Sequence, residues 1–143
     1  MQSDNEKMLQ EIVQNTEMGK NTLDEMMGLT RDQRLKNEMM RQKNEYRRLN
    51  QQAHTALAAL GVQATGQSAA AKMGVSMGIR SRTMLDKSTR NLATMLAEGS
   101  GQGVLDCKRA EKDYPTASPG AQQLNHELCD MQTRAEQTWR EFV

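Results

Sequence analysis

The sequence predicts an all-α fold, an antiparallel four-helix bundle with a short crossover helix between the second and third main helices. Three observations predict it. Straight-chain helix formers dominate a chain of 143 residues in which aromatics make up 3% and prolines number two, so strands have almost nothing to grow from. Apolar residues recur at three- and four-residue intervals along each long stretch, as on a helix that buries one stripe. The linker between the first two stretches is only a few residues, which forces them into an antiparallel hairpin. The length is that of one domain, residues 1–143.

The first helix is expected at about 4–28. Ser3 and Glu6 form a capping box at its start, and Leu9, Ile12, Val13, Leu23, Met26 and Met27 make its inward stripe until Gly28 and Thr30 end the pattern. Thr16 and Gly19 lie within that stripe and let a neighbouring helix approach, although glycine there costs about 1 kcal/mol against alanine. The second helix, about 31–60, opens on a Thr30–Gln33 capping box. Its stripe is Leu35, Met39, Gln42, Tyr46, Leu49, Ala53, Ala56 and Leu60, and Gly61 stands where a left-handed cap belongs. The connection at 61–67 leads to Ser68, which caps a crossover helix over about 69–86 with Ala69, Ala70, Met73, Met77, Met84 and Leu85 as its apolar face. Gly74 and Gly78 form a small-xxx-small pattern there, but Lys72, Arg80 and Arg82 surround it, which favours close packing over membrane association.

Ser88 begins the fourth helix, about 89–114, with Leu92, Met95, Leu96, Gly99, Gly103, Cys107 and Ala110 on its stripe and Gln102 and Asp106 beside it. Pro115 ends that helix, because a residue before proline avoids helical angles. Ser118-Pro119 opens the last helix, about 119–142, which faces inward with Ala121, Leu124, Leu128, Met131, Ala135 and Phe142 and carries Trp139 at the edge. Gln42, Tyr46, Gln102 and Asp106 lie on or beside apolar stripes, so they are expected to satisfy one another in a buried hydrogen-bond network.

Several function classes lose ground on composition. With 19 basic and 18 acidic residues no field gathers nucleic acid or an anionic membrane, and neither partner is expected. The opening Met1-Gln2-Ser3-Asp4-Asn5-Glu6 is polar and acidic, unlike an export signal, and no apolar run approaches the roughly 20 residues of a membrane span, so the expected location is the cytoplasm. Catalysis is not expected. Glu17, Glu38, Glu45, Glu98 and Asp106 form no recognisable pair, and none is spaced with a histidine or serine as a triad requires. Glu98-Gly99-Ser100-Gly101-Gln102-Gly103 lacks the preceding strand and following lysine of a phosphate loop, and reads as a glycine-lined groove where helices meet.

Metal binding is the chemistry to weigh in a bundle of this shape, since such bundles can hold two ions with carboxylates and Glu-x-x-His pairs. Both histidines here follow glutamine instead, in Gln51-Gln52-Ala53-His54 and Gln123-Leu124-Asn125-His126, and a neutral amide does not offset the charge of the ions. His126 and Cys129, three apart, could provide two ligands of a zinc or copper site if Cys107 came alongside. The metal candidates are therefore His54, His126, Cys129 and Cys107. No cofactor is expected, with a transition metal as the alternative. The two cysteines are too few for a disulfide framework and read as small buried residues. Twelve methionines fall mostly on the stripes and fit a plastic core or a surface that grips another helix.

The segments Leu9-Gln10-Glu11-Ile12-Val13-Gln14-Asn15-Thr16-Glu17-Met18-Gly19, Ala71-Lys72-Met73, Met95-Leu96-Ala97-Glu98-Gly99-Ser100 and Gly103-Val104-Leu105-Asp106 carry a resemblance. Over Met8 to Phe142 the chain resembles a family of small ferritin-like four-helix-bundle proteins of unknown function from anaerobic and spore-forming bacteria. The resemblance implies a ferritin-like fold, and spore-coat proteins of related shape extend it to a structural role in spores. The iron ligands of true ferritins have no counterparts, so iron storage and ferroxidase chemistry do not carry over. The expected function is that of a non-catalytic bundle acting through protein contacts, a homodimer joined by Met-rich or Gly-rich faces. The alternative is a divergent metal protein binding iron, manganese or zinc.

Overall fold

A computed structural model describes residues 2–143; Met1 lies outside the described residues. It contains five helices and, among the described residues, no strand: α1 (Asp4–Met27), α2 (Gln33–Ala59), α3 (Ala69–Thr83), α4 (Thr89–Asp113) and α5 (Pro119–Arg140). No helix is long and apolar enough to cross a membrane among the described residues.

Each helix starts on an oxygen that takes an orphan backbone N–H. Ser3, Ser68, Ser88 and Ser118 cap α1, α3, α4 and α5 as their sequence positions predict. For α2 the cap is Asp32 and not Thr30. Asp32 Oδ1 accepts from the N–H of Arg34 (3.0 Å) and Leu35 (3.2 Å), while Thr30 Oγ1 accepts from the N–H of Asp32 within the turn. A carboxylate at this point also meets the positive end of the helix dipole, which a threonine hydroxyl does not. Asp32 Oδ2 accepts from Thr89 Oγ1 at 2.9 Å, so the same side chain ties the start of α2 to the start of α4. At the other end of α2, Gly61 adopts φ 72°. The N–H of Val62 then reaches Leu57 O and that of Gly61 reaches Ala58 O, the paired bonds that close a helix onto a left-handed glycine. This stop leaves Leu57 as the last core residue of α2 and Leu60 exposed, where the stripe had been expected to reach Leu60.

Cross-helix contacts give the pairing. Asn50 Nδ2 of α2 donates to Thr16 Oγ1 of α1 at 2.9 Å, and Lys43 pairs with Asp24, so position falls along one helix as it rises along the other. Asn125 Nδ2 of α5 donates to Cys107 O of α4 at 2.9 Å. Tyr114, Thr116 and Ser118 bond Glu11, Asp4 and Asn5 at the end where α1 begins. Arg34 lies 5.1 Å over the Phe142 ring where α2 begins and α5 has ended. Between these contacts Leu9, Ile12, Leu35, Met39, Leu49, Leu92, Leu128 and Trp139 form the centre of one core. Trp139 is 1% exposed, a core residue and not the edge residue expected, because it continues the four-residue step from Ala135. Phe142 falls beyond the last turn and is only partly buried.

The crossover follows α1. A polar row on α1 holds it by its backbone: Gln10 bonds Gln63 O and the N–H of Thr65, Gln14 bonds Thr65 O, and Glu17 accepts from the N–H of Gln67. Ser76 Oγ then donates to Glu25 Oε1 at 2.8 Å. Here α3 departs from expectation. Its inward line is Ala71, Val75, Ile79 and Thr83, four apart, and the expected face is turned out, with Met73 64%, Met77 62%, Met84 73% and Leu85 97% exposed. A helix lying on the outside of α1 can bury only a narrow line, and branched Val75 and Ile79 fill that line without the flexible reach of methionine.

Gly19 is a close-approach site, as its place in the stripe suggested: a Cβ there would stand 2.6 Å from Tyr46 Cε1. Gly99 meets nothing within 4 Å. The two glycines should therefore respond oppositely to alanine. Urea unfolding is expected to show Gly19→Ala destabilised by about 1–3 kcal/mol through overpacking. Gly99→Ala should gain up to about 1 kcal/mol from helix propensity. A gain at Gly19 would contradict the packing described.

Candidate functional site

A cleft of about 560 Å³ opens between α1 and α4. Gly99, Ser100 and Gly103 line it from α4, and Asn15 and Gly19 from α1. The segment from Thr65 to Ser68 forms a wall, Gln102, Asp106 and Arg109 stand at the rim, and Tyr46, Gln132 and Trp139 reach it from α2 and α5. The glycine run of α4 thus does two things. Gly103 is the meeting point expected of it, since a Cβ there would overlap the Gln132 amide, with Cδ at 2.6 Å. Gly99, expected on the inward stripe, is instead exposed and opens on empty space at the edge of the cleft.

Gln132 organises the interior. Its Nε2 donates to Asn15 Oδ1 at 2.8 Å and to Tyr46 Oη at 3.1 Å, and its Oε1 accepts from the Cys107 thiol at 3.6 Å. Asn15 Nδ2 returns a bond to Gly103 O at 3.4 Å. A buried network therefore exists, but of the four residues expected to build it only Tyr46 takes part. Gln42 is buried and gives its Nε2 to Glu38 at 3.0 Å. Gln102 and Asp106 bond each other at the exposed rim, at 3.1 Å, because each sits one position before the inward Gly103 and Cys107 and is turned about 100° away. Asn15, Asn125 and Gln132 were missed. A signal was present for two of them, since Asn125, Gln132 and Trp139 are seven apart and form one line down α5 beside the apolar stripe.

The metal candidates lie on three helices. His54 is exposed on α2, and His126 is exposed on α5 with Nδ1 3.8 Å from Glu111 and Nε2 3.8 Å from Asp130. Cys107 is buried under Gln132, while Cys129 is only partly covered. Among the described residues no three His, Cys, Asp or Glu side chains are arranged to hold a metal ion. Burial pushes both thiols up, most strongly Cys107, which keeps it a neutral hydrogen-bond donor. Burial likewise pushes Tyr46 from 10.0 up to about 12. Tyr114 is also raised to about 12, first by the hydrogen bond from its hydroxyl to Glu11.

No protein-family model, curated protein or solved structure matches the chain.

The tyrosines carry a pH dependence whose sign follows from linkage. Each holds its proton in the folded chain to about 12, against an ordinary value of 10.0, so folding retains protons that the unfolded chain releases. Their contribution to stability is complete below pH 10 and is lost as pH rises toward 12. Urea midpoints measured across that window should fall, and Tyr46→Phe should flatten part of the fall. An identical alkaline slope in the variant would mean that Tyr46 ionises freely.

Proposed function

We propose that the chain is a non-catalytic binding protein on a ferritin-like, antiparallel four-helix bundle, and that the cleft between α1 and α4 is its receptor site. The order supports the architecture: one hairpin, a crossover that follows α1 along its length, and a second hairpin whose first helix begins beside Asp32. The resemblance of the sequence to the small ferritin-like family of anaerobic and spore-forming bacteria is the ground for calling the bundle ferritin-like. The observation that carries the functional reading is the cleft itself, about 560 Å³ in the middle of the bundle, of the size and place where bundles hold small ligands. Its interior polar groups are amides, hydroxyls and a thiol, in the position where metal-dependent bundles place carboxylates. Neutral groups held in a fixed network suit binding better than proton transfer near neutral pH.

Two-dimensional amide NMR with a panel of neutral, cationic and anionic aromatic fragments tests this. At least one fragment should move the Ser100, Gly103 and Gln132 resonances together and saturably. A panel that leaves all three in place would remove the reading.

A second reading, contact between copies of the chain, is favoured by the outward turn of α3. Met73 and Met77 are exposed one turn apart, and Gly74 and Gly78 beside them have open space around them. Methionine adapts readily to a second helix, and a two-fold pairing of this face is the simplest closed assembly. Light scattering over a dilution series should show a dimer that Met73→Lys with Met77→Lys converts to monomer, leaving helicity unchanged. A monomer at every concentration would count against self-association.

A further inference from the structure

The polar atoms around the cleft indicate what it takes. Tyr46, 4% exposed, accepts from Gln132 through Oη, and its own proton meets no acceptor among the described residues. Trp139, Gln42 and Ser100 are also nine-tenths or more buried, and the Trp139 indole N–H, the Gln42 carbonyl oxygen and the Ser100 hydroxyl have no hydrogen-bond partner among the described residues. No fully enclosed side-chain nitrogen or oxygen goes without a partner, so the Trp139, Gln42 and Ser100 atoms must border open space. The cleft is the open space that all four residues line. Such groups left unpaired at a largely apolar surface are costly, and a ligand that matches them recovers that cost.

Charge narrows the class. The four residues are neutral, and the charged side chains that line the cleft are Glu11, Asp106 and Arg109 toward its mouth, where Arg109 already lies 3.7 Å from Asp106. A charged group brought to the floor would lose its water without gaining a counter-charge, a penalty of several kcal/mol. The remaining walls are apolar: Ile12, Met18, Leu23, Met95, Leu96 and Leu128.

Resting on the reading of the cleft as a receptor, we infer that it takes an uncharged, mostly apolar organic molecule that sets a carbonyl-type acceptor against the Tyr46 hydroxyl and the Trp139 indole. The molecule enters between α1 and α4 past the exposed Gly99. Gln42 and Ser100 accept or donate to a second polar substituent where the ligand has one.

Trp139 is the single tryptophan of the chain and lines the cleft, so it reports occupancy directly. The test titrates the intact protein with two naphthalene dyes, prodan, a neutral ketone, and ANS, an anionic sulfonate. Trp139 emission is followed for energy transfer to each dye. Prodan should bind once per chain with saturable transfer, and ANS at least ten-fold more weakly. Tyr46→Phe, which keeps the ring and removes the donor, should weaken prodan roughly ten-fold. Gly99→Leu starts from a Cβ that meets no atom within 4 Å, and should block prodan even if the tyrosine variant folds poorly. ANS reaching Trp139 as tightly as prodan would overturn the assigned ligand class while keeping the receptor. Prodan binding unchanged in both variants would overturn the placement of the site. If neither dye reaches Trp139, the receptor reading falls with it.

Discussion

The bundle turns on one buried amide. Gln132 sits where α1, α2, α4 and α5 come together, and its two ends reach Asn15, Tyr46 and Cys107. A side-chain amide held away from water must find its partners inside the protein, so every helix that meets it is constrained in rotation and register. The glycines follow from the same constraint. Gly103 yields its Cβ space to the Gln132 amide, and Gly19 yields its own to the ring of Tyr46, whose hydroxyl accepts from that amide. Neighbouring positions in a tightly organised polar centre are therefore the ones at which helix propensity is given up.

The cleft is a consequence of that arrangement. With α4 drawn onto α5 by the Gly103–Gln132 contact, the small residues one turn earlier on α4 have no large side chain to meet α1. The crossover does not close the gap. Its backbone is carried on the outer row of α1 by Gln10, Gln14 and Glu17, which hold it as a wall beside the opening. This places polar, uncharged groups at the end of an apolar passage, an arrangement suited to recognising a neutral molecule by one or two hydrogen bonds.

Much of the fold was legible in the sequence, and particular residues show why. Four of five N-caps are serines placed immediately before an apolar period, a local signal that needs no tertiary partner. Asp32 was passed over because Thr30 and Gln33 satisfy the same spacing rule, and only the approach of Thr89 from α4 adds a second use for the carboxylate. The α3 face differs from the sequence expectation for a separate reason. Methionine is apolar in any periodicity count, but a helix that touches a single neighbour buries one narrow line, and the composition does not say which line the neighbour will cover. In the site, Tyr46 was singled out correctly as a polar residue on an apolar stripe, whereas Gln102 and Asp106 were grouped with it from one-dimensional proximity to the stripe. A rotation of one residue about the helix axis separates a buried amide network from an exposed rim pair.

By itself the sequence determined an all-helical chain, the serine caps of four helices and most of the stripes of α1, α2, α4 and α5, because capping and periodic burial are properties of neighbours along the chain. The tertiary structure alone decided that Gln132, Asn15, Tyr46 and Cys107 meet, that Trp139 belongs to the interior, and that a cleft opens between α1 and α4. These depend on how four helices rotate against one another, and that rotation is set by contacts between residues as far apart as Asn15 and Gln132.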